Sequence, residues 1–183
     1  MFLTGAEVTD ATLKRLKKLP DLEWLGLSET NVTDAGLKYL EEFAKLREIA
    51  LNKTPVTDAG LKHLKGLSRL EVLELSWDTG ITDAGMEHLK GLKNLRNLNL
   101  CGTRVTNAGV KHLQGLAKLQ QLDLMATQVT DAGLEDLKVL KDLRHLNLSE
   151  IDVTDGTVKM LQKALPKCEI HYPPRLGGIE ERE

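Results

Sequence analysis

The stretch Val56-Thr57-Asp58-Ala59-Gly60-Leu61-Lys62-His63-Leu64, with Leu70-Glu71-Val72-Leu73-Glu74-Leu75 shortly after it, decides how this chain folds. Its two halves carry two different periods. Leu73-Glu74-Leu75 alternates apolar and polar residues, as a short strand with one buried face does. Leu61 and Leu64 stand three residues apart, which puts both on one face of a short helix. Thr57 occupies the N-cap position. Asp58 follows in the first turn, where a negative charge is favoured by the helix dipole.

The same phrase begins again and again along the chain, at Val8, Val32, Val56, Ile81, Val105, Val129 and Val153. The spacing is 24 residues throughout, except for one interval of 25 between Val56 and Ile81. Each phrase leads into Leu-x-x-Leu-x-Leu or a near variant, so each unit reads as strand, turn, helix, turn. One unit cannot bury both sides of its leucine layer, but a stack of them forms a continuous core. Neighbouring helices need roughly 8–10 Å and neighbouring strands about 4.8 Å. The stack is therefore expected to be an α/β solenoid that curves, with a parallel sheet on the concave side and short helices on the convex side. Ala11, Ala35, Ala59, Ala84, Ala108 and Ala132 are small, and are expected where consecutive helices come closest.

These repeats resemble the leucine-rich-repeat family, and in particular the Thr-Asp-Ala-Gly-Leu repeats of bacterial proteins. They are also similar to the cysteine-containing repeats of F-box proteins. The resemblance runs from residue 8 to residue 172 and implies the solenoid fold while saying almost nothing about the ligand; the chain itself is expected to be a non-catalytic module that binds a protein partner. Where the family consensus has Asn or Cys after the strand, this chain is read as having Thr30, Thr54, Thr79, Thr103 and Thr127, whose hydroxyls are expected to satisfy backbone groups in the turn. No F-box precedes the repeats.

The ends frame one repeat domain over residues 1–172, with a charged, glycine-containing tail over 173–183 that is expected to be disordered. Met1–Glu7 aligns with the end of a strand and its turn. The first layer, Leu3, Val8, Leu13 and Leu16, is expected to be less protected than the central layers, offering a route to end-to-end self-association. The last repeat reads as two residues short, with Leu165, Cys168 and Ile170 in the apolar slots of its strand.

Composition narrows the function classes. The net charge of −2 lacks the basic excess of a nucleic-acid footprint. No run of 18 apolar residues suggests a membrane-spanning helix, and Met1–Gly5 does not read as a signal peptide. Cys101 and Cys168 fit neither a disulfide framework nor a metal motif, and as free thiols they favour a reducing, cytoplasmic setting. No cofactor or metal is expected.

The polar positions between the strand leucines should line the concave face in three columns. The first is read as Trp24, Glu48, Val72, Asn97, Gln121, His145 and Lys167. The second is Gly26, Ala50, Glu74, Asn99, Asp123, Asn147 and Glu169, and the third is Ser28, Asn52, Ser76, Cys101, Met125, Ser149 and His171. Partner binding is assigned to Trp24, Glu48, Val72, Glu74, Trp77, Asn97, Asn99, Gln121, Asp123, His145 and Asn147. The alternative is a structural spacer within a larger repeat protein.

Glu74 and Asp123 are the one carboxylate pair that invites a catalytic reading, but a shallow sheet surface offers nothing to desolvate them. His63, His88 and His112 recur on the outer face as copied surface residues. Ser76-Trp77-Asp78-Thr79-Gly80 holds the extra residue of the long repeat, and Trp77 there is either a plug over the bulge or an exposed contact residue.

Overall fold

The structure, a computed structural model, describes residues 1–19 and 21–172. The tail over 173–183 lies outside the described residues. Strand β1 (Gly5–Thr9) precedes helix α1 (Asp10–Leu16), β2 (Trp24–Gly26) and β3 (Thr30–Asn31). The order then becomes regular: α2 (Asp34–Leu37), β4 (Glu48–Ala50), α3 (Asp58–Leu61), β5 (Val72–Glu74), α4 (Asp83–Leu89), β6 (Asn97–Asn99), α5 (Asn107–Lys111), β7 (Gln121–Asp123), α6 (Asp131–Leu134), β8 (His145–Asn147), α7 (Asp155–Ala164) and β9 (Glu169–His171). Most of the middle helices continue as a 3₁₀ turn, for example over Lys62–Leu64 after α3.

Strands β2, β4, β5, β6, β7, β8 and β9 form one parallel sheet in that order, and β1 pairs with β3 beside it. Leu25, Ile49, Leu73, Leu98, Leu122 and Leu146 stand opposite one another in register and are all buried. This row is the spine of the core. Leu61, Leu64, Leu67 and Leu70 and their equivalents fill the space between spine and helices. Each buried leucine contributes on the order of 1.5–3 kcal/mol, so the low aromatic content is no obstacle.

The Thr-Asp-Ala-Gly phrase does more than start a helix. The Asp58 carboxylate reaches across to the next repeat, where Oδ1 accepts the backbone N–H of Thr82 at 2.8 Å and Oδ2 accepts its hydroxyl at 2.6 Å. Asp10, Asp34, Asp83 and Asp131 do the same to Thr33, Thr57, Thr106 and Thr154. Asn107 substitutes by accepting from the Thr130 N–H and donating its amide to the Thr130 hydroxyl, both at 2.9 Å. At the first repeat, the Thr12 hydroxyl accepts from the Thr9 N–H instead.

This clamp explains the glycine and corrects the reading of the alanine. A Cβ at Gly85 would sit 2.4 Å from Asp58 Oδ1. Gly36, Gly60, Gly109 and Gly133 face the preceding Asp or Asn equally closely, and all are buried. The alanines expected at the close approach are exposed instead. They sit one residue too early on the turn to face the neighbouring repeat.

Two further expectations change. Thr30, Thr54, Thr103 and Thr127 do donate their hydroxyls to the carbonyl three residues back, each at 2.7 Å. In the long repeat that position belongs to buried Asp78, while Thr79 is exposed, because the extra residue enters after this position. The last strand keeps the full 24-residue step: Ile170, not Cys168, pairs with Leu146. Its preceding helix is longer, and Leu165 and Cys168 fill the layer from the connecting loop. The first layer is less covered than the central ones: Leu3 is half-buried, and Val8 and Leu16 are 6% and 9% exposed where Val32, Leu40 and Leu64 are fully buried, with Met1, Phe2 and Leu19 exposed at the same end.

Asp58→Ala is expected to cost about 1–3 kcal/mol, because it leaves the Thr82 N–H without its acceptor. Gly85→Ala should also destabilise, by displacing that carboxylate. The two losses act on one contact, so the double variant should cost less than their sum. Urea denaturation of the four proteins measures this, and strict additivity would contradict the shared clamp.

Candidate binding surface on the concave sheet

Strand register defines the columns. The first runs Trp24, Glu48, Val72, Asn97, Gln121, His145, Glu169 and the second Gly26, Ala50, Glu74, Asn99, Asp123, Asn147, His171. Lys167 therefore drops out of the first column, Glu169 moves into it, and His171 moves from the third column to the second. The cause is the unshortened last repeat. His145 and His171 both approach the Glu169 carboxylate, at 3.3 Å each.

The second column is tied together before any partner arrives. Asn99 Nδ2 donates to Glu74 Oε2 at 2.8 Å, and Asn147 Nδ2 donates to Asp123 Oδ2 at 3.1 Å. The opposite ends of three of these side chains hold the strand ends. Asn99, Asp123 and Asn147 each accept the backbone N–H two residues on, from Cys101, Met125 and Ser149. These residue types at the end of a short strand recur because a short amide or carboxylate reaches its own i+2 N–H. Sequence reasoning treated them as free to meet a partner and missed this second duty. In the first column, the Asn97 amide donates to Gln121 at 3.2 Å.

The column lines a shallow cavity of about 190 Å³ whose polar wall includes Glu74, Asn99, Gln121, Asp123, His145 and Asn147. It desolvates more than a flat sheet would. Burial raises the Glu74 carboxyl above the ordinary range, the Asn99 hydrogen bond pulls it back, and the negative charge of Asp123 raises it further. The expectation that nothing here perturbs a carboxyl is thus corrected.

Two aromatic groups stand outside this cavity. Trp24 meets Phe2 edge to face, with ring centroids 3.7 Å apart, at the N-terminal end of the sheet. Phe2 pairs with Gly26 and continues the second column. It is 75% exposed, more than any other large apolar side chain among the described residues, so it belongs with Trp24 in any account of binding. Its alignment with a strand position was the signal that could have revealed it.

Trp77 is both plug and surface. Its ring lies on the bare Cα of Gly102 in the next repeat, where an added Cβ would come within 2.3 Å of it, and yet it is 47% exposed. Its φ of 63° matches the left-handed turn residues Glu29, Lys53, Ala126 and Glu150, so Trp77 fills a regular turn position and is not itself the insertion.

The remaining candidates are accounted for by packing. Cys101 is 4% exposed rather than lining the concave face, and burial, then Asp123 and Glu150, raises its thiol. Burial pushes the Cys168 thiol up to about 11. His63 contacts Glu41, and burial lowers His88. No group of three metal-ligating side chains comes together among the described residues.

A family model described as Leucine Rich repeat matches residues 115–138. The chain also superposes on internalin C2 from Listeria monocytogenes with a TM-score of 0.76 and 26% identity, covering 96% of this chain and 74% of that one. The chain has the fold of a leucine-rich-repeat solenoid. Internalin F from the same organism shares the fold at a TM-score of 0.72 and 22% identity, over 93% of this chain and about half, 52%, of its own length. No curated protein matches the sequence.

In this leucine-rich-repeat solenoid both thiols are buried and protonated. Native protein at pH 8 is expected to react with an aromatic disulfide reagent roughly 100-fold more slowly than urea-unfolded protein. Fast labelling of one thiol in the native state would contradict the placement of Cys101.

Proposed function

We propose that the solenoid, acting over residues 1–172, is a non-catalytic binding module that takes a protein partner on its concave sheet. The observation that carries this reading is the ordered polar column Glu74-Asn99-Asp123-Asn147 along a 190 Å³ cavity. Its side chains are already held by hydrogen bonds, so little rotamer freedom is lost when a partner lands on them. Phe2 and Trp24 at one end supply the apolar anchors that such a column lacks, and aromatic anchors dominate many interfaces. The carboxylates of Glu74 and Asp123 favour a partner bearing Lys or Arg opposite them.

Catalysis has no support in this geometry. Glu74 and Asp123 stand two strands apart, with Asn99 between them, and no nucleophile with a partnered base stands beside them. Nucleic acid and membrane are not part of the reading. End-to-end self-association is a second reading, supported by a first layer in which Leu3, Val8 and Leu16 are less covered than their central equivalents.

The test uses purified candidate partners and two double variants. Gln121→Ala with His145→Ala removes exposed side chains from the first column without touching a backbone acceptor. Lys62→Ala with Lys111→Ala does the same on the helix side. The sheet pair is expected to weaken binding about tenfold or more, the helix pair less than about twofold, and added salt should weaken the wild-type complex. Loss of binding only in the helix pair would place the interface on the other face.

A further inference from the structure

Asp78 is the one acidic side chain of the described residues that is buried throughout, at 1% exposure. It occupies the position that threonine holds in four other repeats. Its Oδ1 accepts the Thr54 N–H at 2.7 Å, one repeat back. Its Oδ2 is buried and has no hydrogen-bond partner among the described residues. No ion pair reaches it. On the preceding turns the ionisable groups are Lys53, whose ammonium is held by Glu29 at 2.8 Å, and Glu29 itself. On the following turn they are the exposed Arg104 and the buried Cys101 thiol.

The turn that carries Asp78 is tightly closed on its neighbours. Ile81 N–H donates to the Asp78 carbonyl at 3.0 Å and Asp58 N–H to the Gly80 carbonyl at 3.2 Å. A Cβ at Gly80 would lie 2.8 Å from Thr57 Cγ2 and 3.1 Å from the Val56 carbonyl. Trp77, on the same turn, rests on Gly102 of the next repeat. An ionised carboxylate in this enclosure, with one oxygen unpaired, is strongly disfavoured, whereas the neutral acid leaves only an unpaired hydroxyl and costs much less.

We propose that a proton on Asp78 is the latch that keeps the third-repeat turn closed, and with it the seat of Trp77. Burial raises the Asp78 carboxyl to about 8, against the opposing pull of the Thr54 and Lys53 N–H groups, while its ordinary value is 3.8. The closed turn therefore binds the proton more tightly than an open one. Closure is at full strength below about pH 4, weakens as pH rises from about 4 to 8, and changes no further above that. Within that window the opening constant of the turn climbs by up to about tenfold per pH unit, to the extent that opening brings the carboxyl into water. The latch is tight in mild acid and loosens through neutrality. The threonines of the other repeats have no such dependence.

Two measurements test this on the whole protein. Carbon-13 NMR of the Asp78 carboxyl should show a titration midpoint near 8, and a midpoint near 4 overturns the proposal. Hydrogen exchange of the Thr54 and Ile81 amides, corrected for the intrinsic pH dependence of exchange, should give an opening constant that rises about tenfold or more between pH 5.5 and 7.5. The Ala126 and Thr127 amides, in a turn built on threonine, should not follow. In Asp78→Asn the rise should vanish. A flat wild-type profile, or the same rise in Asp78→Asn, overturns the latch. If Asp78→Asn fails to fold, the wild-type carboxyl titration and the wild-type exchange profile of Thr54 and Ile81 against Ala126 and Thr127 decide together.

Discussion

The contact on which the stack depends is the reach of one aspartate into the following repeat. Leucine burial provides most of the stabilisation, but it is non-directional and would tolerate some slippage between layers. The carboxylate of Asp34, Asp58 or Asp83 accepts both the N–H and the hydroxyl of one threonine and so fixes each layer on the next. That grip requires a residue without a side chain facing it, which is why the phrase contains glycine as its fourth member. The threonine in turn caps its own helix, accepting from the N–H two residues on at 3.3 Å in repeats such as that of Thr57. Four residues thus encode a helix start, a repeat-to-repeat bond and the clearance for it.

The fold was legible because its signal repeats. A strand period of two and a leucine spacing of three, copied every 24 residues, leave little freedom in topology. What sequence reasoning missed were the contacts between repeats. The choice between Ala59 and Gly60 as the residue of closest approach depends on the direction of a neighbouring Asp, which periodicity within one repeat does not contain. The displacement of Thr79 by Asp78 depends on where a single inserted residue enters the turn, and both placements preserve the motif. The register of the last strand was misjudged because Cys168 offered a plausible apolar slot, although the plain 24-residue step from Leu146 leads to Ile170.

The candidate surface shows the same division. Its columns follow from alternation, and Glu74, Asn99, Asp123 and Asn147 do share one line on the sheet. Their mutual hydrogen bonds and their hold on the i+2 N–H groups could not be read from residue type alone. In the proposed function this double use would matter: a column that already satisfies itself is stiff and would select a partner by shape and charge rather than by rearranging around it. The less constrained first column, with Gln121 and His145 exposed, would be left to make the adaptable contacts.

Because each repeat touches only its neighbours, the strength of the coupling between layers decides whether the solenoid unfolds as one unit or in pieces. Asn107 shows that an amide can replace the carboxylate in the clamp, since it still accepts the Thr130 N–H. The most direct test of the account is therefore urea unfolding of two triple variants, followed by circular dichroism. One replaces Asp34, Asp58 and Asp83 with Asn, and the other replaces them with Ala. The clamp predicts that the Asn variant keeps a single cooperative transition with the m-value of the wild type, whereas the Ala variant unfolds at lower urea with a reduced m-value or in separate steps. A single transition of unchanged m-value and midpoint in the Ala variant would show that leucine packing alone couples the repeats, and would contradict the account.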